Sequence, residues 1–147
     1  MMPSVALVLN GLARTMLMDL LPQTTHAYAA QTLQLSAALT MMCAQEFDRA
    51  AARLVEENRA LAQLFADAAP AVTDTALRAG LQSAPADAPT LLVSALQEHN
   101  RALRALLVRL HAHVETIDSP GARAIEQRVW TELAESVRRR HLDMALA

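Results

Sequence analysis

LQEHNRALRALLVRLHAHVETI, residues Leu96–Ile117, decides how this chain is read. Leu96, Asn100, Leu103, Leu107, Leu110, Val114 and Ile117 recur at alternating spacings of four and three. That spacing lines one face of a helix, whereas a half-buried strand would need alternation with period two. Leu92 and Leu106 widen the stripe, which suits a bundle helix covered by several neighbours better than a two-stranded coiled coil. Ala, Leu and Arg fill the stretch, and all three favour helix. Thr90, after Pro89, is the expected N-cap. At the far end Asp118-Ser119-Pro120-Gly121 stops this helix and opens the next, with Ser119 as cap and Pro120 as its first residue.

Part of the stretch occurs twice. Leu54–Phe65 reads LVEENRALAQLF and Leu96–Leu107 reads LQEHNRALRALL, with seven identities in twelve positions. In the earlier copy Phe47, Ala51, Leu54, Asn58, Leu61 and Phe65 form the stripe. Both copies carry Glu-x-Asn-Arg-Ala-Leu in the same register. Asn58 and Asn100 therefore fall at corresponding stripe edges, with Glu57 and His99 nearer the centres. If the two segments face each other, Glu57 and His99 are expected to meet, with Asn58, Arg59, Asn100 and Arg101 around them. A buried carboxylate–imidazole pair could bind a small ligand or move a proton. The same residues, satisfied by one another, could instead serve only to set helix register.

Composition bounds the rest. The chain has 147 residues, of which 53% are hydrophobic and only 3% aromatic, so its core is built from Ala, Leu, Val and Met. Three glycines and the lack of convincing period-two alternation point to an all-α fold. We expect a single up-down bundle of four to five main helices plus one short helix. A net charge of −2 argues against a general attraction to nucleic acid or anionic membrane. All thirteen basic residues are arginine. The one cysteine, Cys43, sits in the apolar run LTMMCAQ and is expected to be a buried, inert thiol in a reducing, cytoplasmic setting.

The amino-terminal stretch SVALVLNGLARTMLMDLL is apolar on nearly every face, with Val5, Val8, Leu9, Leu12, Met16 and Leu20 along one of them. It lacks a basic leader and contains Arg14 and Asp19, so neither a signal peptide nor a membrane span is expected. A helix apolar all round needs cover on several sides, and that predicts a homodimer or a partner protein. The next helical stretch, from Thr24 or Thr25 to Ala69, contains neither Gly nor Pro. Its stripe changes register near Thr40–Glu46, which predicts two segments, Thr25–Cys43 and Gln45–Ala69. Thr73–Leu81 is read as a short helix capped by Thr73 and closed by Gly80, followed by a mobile Pro/Ala linker, Ser83–Pro89. The last helix is expected from Pro120 to about Met144, with Ile125, Val129, Leu133 and Val137 in one row and Trp130 in the core.

Other polar clusters read as solvated surface. His111-x-His113-x-Glu115 is poor metal spacing, because residues two apart on a helix diverge. The Arg138–His141 run suits a helix carboxyl end, and too little basic or aromatic surface accompanies it for nucleic-acid binding. The chain contains no Glu-x-x-His, no Cys-x-x-Cys and no phosphate-binding Gly loop, so no metal or cofactor is expected. Two functions remain: a small non-enzymatic interaction subunit that self-associates, or a bundle with a ligand or acid–base site between the repeated helices.

Overall fold

Helix accounts for 83% of the computed structural model, which describes residues 2–142 and has five α-helices and no strand among them. They are α1 (Val5–Thr15), α2 (Ala27–Ala68), α3 (Thr75–Ser83), α4 (Val93–Glu115) and α5 (Pro120–Arg140). This is the expected all-α architecture of four main helices and one short one. Contacts divide the chain into two compact units, Met1–Ala50 with Leu142–Ala147, and Ala51–His141. Helix α2 contributes to both.

Unit two carries the core. Leu61, Leu64, Phe65 and Ala68 of α2 cluster with Leu77 and Leu81 of α3, Leu103, Leu107, Leu110 and Val114 of α4, and Ala122, Ile125 and Val129 of α5. Leu96, Asn100, Leu103, Leu107, Leu110 and Val114 are buried, as the spacing requires, whereas Leu106 and Ile117 are half-buried and Leu92 is exposed, so the stripe is narrower than expected. Ser119 caps α5 by accepting from the Ala122 amide at 3.1 Å, and Pro120 follows at the first turn. The cap of helix α3 lies one residue later than expected, because Asp74 and not Thr73 accepts the Leu77 amide, at 2.9 Å. An ionised Asp is well placed there, at the positive end of the helix dipole. Gly80 lies inside α3 and does not end it. Helix α4 starts after Leu92, and Thr90 accepts the Leu92 amide just ahead of it.

Three expectations are corrected here. The α2 segment is one unbroken helix of 42 residues, with no interruption at Thr40–Glu46. With neither Gly nor Pro in it, the change of stripe register alters which face is covered without breaking the backbone. Trp130 is 52% exposed, and Val137 is also exposed, because the buried face of α5 passes from Val129 to Ser136. Cys43 is exposed; its neighbour Ala44 takes the covered position. In the expected linker, the Pro85 carbonyl accepts from His99 Nε2 at 2.9 Å, and Asp87 Oδ1 accepts from Arg59 Nε at 2.9 Å. The segment is thus tied to both repeated helices. The expected end of α5 near Met144 lies outside the described residues; the helix closes at Arg140.

Unit one is built differently. The first stretch starts at Ser4, which caps α1 by accepting from the Leu7 amide, and passes through a π turn (Met16–Leu20) into a 3-10 turn (Leu21–Gln23). Pro22 lies in that last turn, where it lacks a donor to continue the helix. The fully buried apolar residues of this unit, among those described, are Ala13, Ala37, Ala44 and Ala50. Leu9, Met16, Leu17 and Leu33 are half-buried, whereas Val5, Leu12, Leu20, Leu35, Leu39 and Phe47 are exposed.

Two substitutions on α4 test the assignment of faces. Leu103→Ala, in the core, should cost roughly 2–5 kcal/mol. Val108→Ala, on the exposed face of the same helix, should change stability by less than about 0.5 kcal/mol. Denaturant melts of the two variants compare them directly.

Candidate functional site

The repeated motif does bring two helices together. Asn100 on α4 donates through Nδ2 to Oδ1 of Asn58 on α2 at 2.9 Å, so the equivalent asparagines of the two copies touch. Asn58 in turn donates to the Leu96 carbonyl at 3.4 Å. Both are buried. Buried amides cost free energy unless their donors and acceptors are matched, and here they satisfy each other.

Beside them lies Glu57, 1% exposed. Its carboxylate gathers donors from three helices. Arg140, the last residue of α5, grips it with both prongs, Nε to Oε1 at 3.0 Å and Nη2 to Oε2 at 2.8 Å. Arg104 on α4 adds Nη2 to Oε2 at 3.2 Å and also donates to Ser136 Oγ at 2.5 Å. Ser136 donates to Oε1 at 3.1 Å, and Asn100 donates to Oε2 at 3.2 Å. Arg53, one turn earlier on α2, lies 3.8 Å from Oε1. Arg104 also donates to Asn100 Oδ1 at 2.9 Å, which closes the network.

Burial alone would push the Glu57 carboxyl up. The Arg140 and Arg104 guanidiniums outweigh that and hold it at about 2, against an ordinary value of 4.5. A carboxylate so acidic, with both oxygens occupied, is a poor proton acceptor near neutral pH. It is well suited to fixing three helices in one register.

The other expected site residues lie elsewhere. His99 meets the Pro85 carbonyl and not Glu57. Arg59 is exposed and pairs with Asp87, and Arg101 is exposed and pairs with Glu98. Glu57 and His99 occupy equivalent places in the repeat, but α5 covers the Glu57 side while the Pro85–Asp87 segment lies against His99. Of the residues that sequence reasoning missed, Arg104 lies inside the second copy of the repeat, where the first has Ala62, and Ser136 and Arg140 come from α5. Arg104 and Asn100 are one turn apart, as are Ser136 and Arg140, and that spacing was the available signal. The basic carboxyl end is also accounted for: Arg138 pairs with Glu135, Arg139 with Glu132 at 2.7 Å, and Arg140 with Glu57.

Glu57→Gln should destabilise by roughly 1–3 kcal/mol near neutral pH, since it replaces one of the two acceptor oxygens with a donor and removes the charge that the guanidiniums face. In a double-mutant cycle it should couple to Arg140→Ala and be additive with His99→Ala within about 0.3–0.5 kcal/mol. Because the folded pKa lies below the unfolded one, the stabilisation is present above pH ~4.5 and lost as pH falls toward ~2. Acid melts of Glu57→Gln should therefore show a shallower loss over that window than the parent chain. No family model, known protein or solved structure matches this chain.

Proposed function

We propose that this chain is a small non-enzymatic helical subunit, working in the reducing cytoplasm, that self-associates through its amino-terminal unit. The observation that carries the reading is the inverted arrangement of side chains there. Alanines fill the interior, and the large apolar residues Val5, Leu12, Leu20, Leu35, Leu39 and Phe47 face outward. A monomer ordinarily keeps extended apolar surface of this kind covered. Between Ala27 and Gln45 the sequence has no charged residue and no histidine, so little on that half of α2 opposes desolvation. A second copy offers the same surface, and a twofold interface is self-complementary by construction.

A lipid surface is the other occupant with an observation behind it. Val5–Gln23 is long and apolar enough to cross a membrane. It nevertheless carries Arg14 and Asp19, and each would cost about 2.5–3.5 kcal/mol at the centre of a bilayer. Against a second protein copy both can remain at a wet rim. The network around Glu57 supports the non-enzymatic part of the reading, since its carboxylate is ionised and fully engaged.

Sedimentation equilibrium should give a mass that is a multiple of 15.9 kDa. The pair Leu12→Glu and Leu39→Glu should shift it to 15.9 kDa while the helical signal of the Ala51–His141 unit persists. A parent chain that stays monomeric over a wide concentration range would overturn the proposal, as would pelleting with phospholipid vesicles in place of self-association.

A further inference from the structure

About three turns along α4 from Asn100 and Arg104, helices α4 and α5 bring together three groups. His111 and Glu115 are one turn apart on α4, and Glu126 comes from α5. One ligand atom from each lies within 4.8 Å of the other two. His111 Nε2 is 3.7 Å from Glu115 Oε1, is shielded from solvent, and has no hydrogen-bond partner among the described residues. Trp130, one turn beyond Glu126 on α5, meets the His111 ring edge-on, with centroids 5.3 Å apart and planes at 86°. The imidazole is therefore approached from α5 by both Trp130 and Glu126.

Charge sharpens the case. Arginine takes the other carboxylates of these two helices: Glu98 pairs with Arg101, Glu132 with Arg139 and Glu135 with Arg138. Glu115 has only His111, and no ion pair engages Glu126 among the described residues. Two carboxylates this close repel each other and leave a buried ring nitrogen unsatisfied beside them. A divalent cation removes both costs at once, because it balances two negative charges and accepts the nitrogen lone pair.

We propose that His111, Glu115 and Glu126 bind one first-row divalent transition-metal ion. One imidazole and two carboxylates suit zinc, cobalt, iron or manganese, whereas calcium and magnesium favour all-oxygen shells. Three protein ligands leave a coordination position for water, and Glu115, 54% exposed, opens that side to solvent. His113 is not a ligand: its Nε2 faces Thr73 Oγ1 at 3.3 Å.

Trp130 is the sole tryptophan, so its fluorescence reports this place in the fold. Titration with Co²⁺ should quench it saturably at one ion per chain, and Zn²⁺ should reverse the quenching by competition. Glu126→Gln, which keeps the side-chain shape, should weaken binding at least about tenfold, as should His111→Gln. His113→Gln should leave binding unchanged. Melts of each variant without metal establish that the fold is retained. Quenching that fails to saturate, or that Glu126→Gln leaves unaltered, would overturn the proposal. So would equal losses in Glu126→Gln and His113→Gln, the mark of adventitious histidine binding.

Discussion

An ionised carboxylate sealed inside a protein is costly, by several kcal/mol even after relaxation, unless donors are brought to it. Glu57 is such a group, and unit two is arranged to supply those donors. Arg104 and Asn100 come from α4, Ser136 and Arg140 from α5, and Arg53 from the helix that bears Glu57 itself. Sliding any helix by one turn would separate a donor from its acceptor, which apolar packing alone would resist only weakly. Replacing such a cluster with hydrophobic residues often leaves stability unchanged or improved, so its value here lies in specifying one alignment of three helices.

The fold class was legible in the sequence because the Leu96–Ile117 stripe has helical spacing and every buried residue of α4 falls on it. The repeated motif was legible too, and its asparagines meet. The partner of Glu57 was not. Equivalent residues share an environment only if their surroundings are equivalent, and the Pro85–Asp87 segment meets His99 while α5 supplies donors to Glu57. Its donors sit on α5 at Ser136 and Arg140, where a hydrophobic row ending at Val137 had been the natural reading. Trp130 escaped for the same reason: the buried face of α5 shifts toward its polar end. Likewise, His111 was read with His113 and Glu115 of its own helix, whereas Glu126 and Trp130 reach it across from α5.

The break expected in α2 fails on another ground. A shift of apolar register tells which face is covered and says nothing about backbone continuity, which Gly and Pro control. The two registers belong to two units. Up to Ala50 the fully covered positions are alanines; from Leu54 onward they are Leu, Phe, the polar pair Glu57 and Asn58, and a last alanine, Ala68.

That difference in side-chain size sets opposite rules for sequence change in the two halves. Along Leu54–Val129 the covered positions are filled, and drift toward smaller residues opens voids. At Ala13, Ala37, Ala44 and Ala50 nothing smaller than alanine exists except glycine, and drift toward larger residues must push the covering chain away. The outward leucines and valines of unit one can exchange among themselves with little effect on its interior. Relatives of this chain should therefore keep bulk in the second half and smallness in the first.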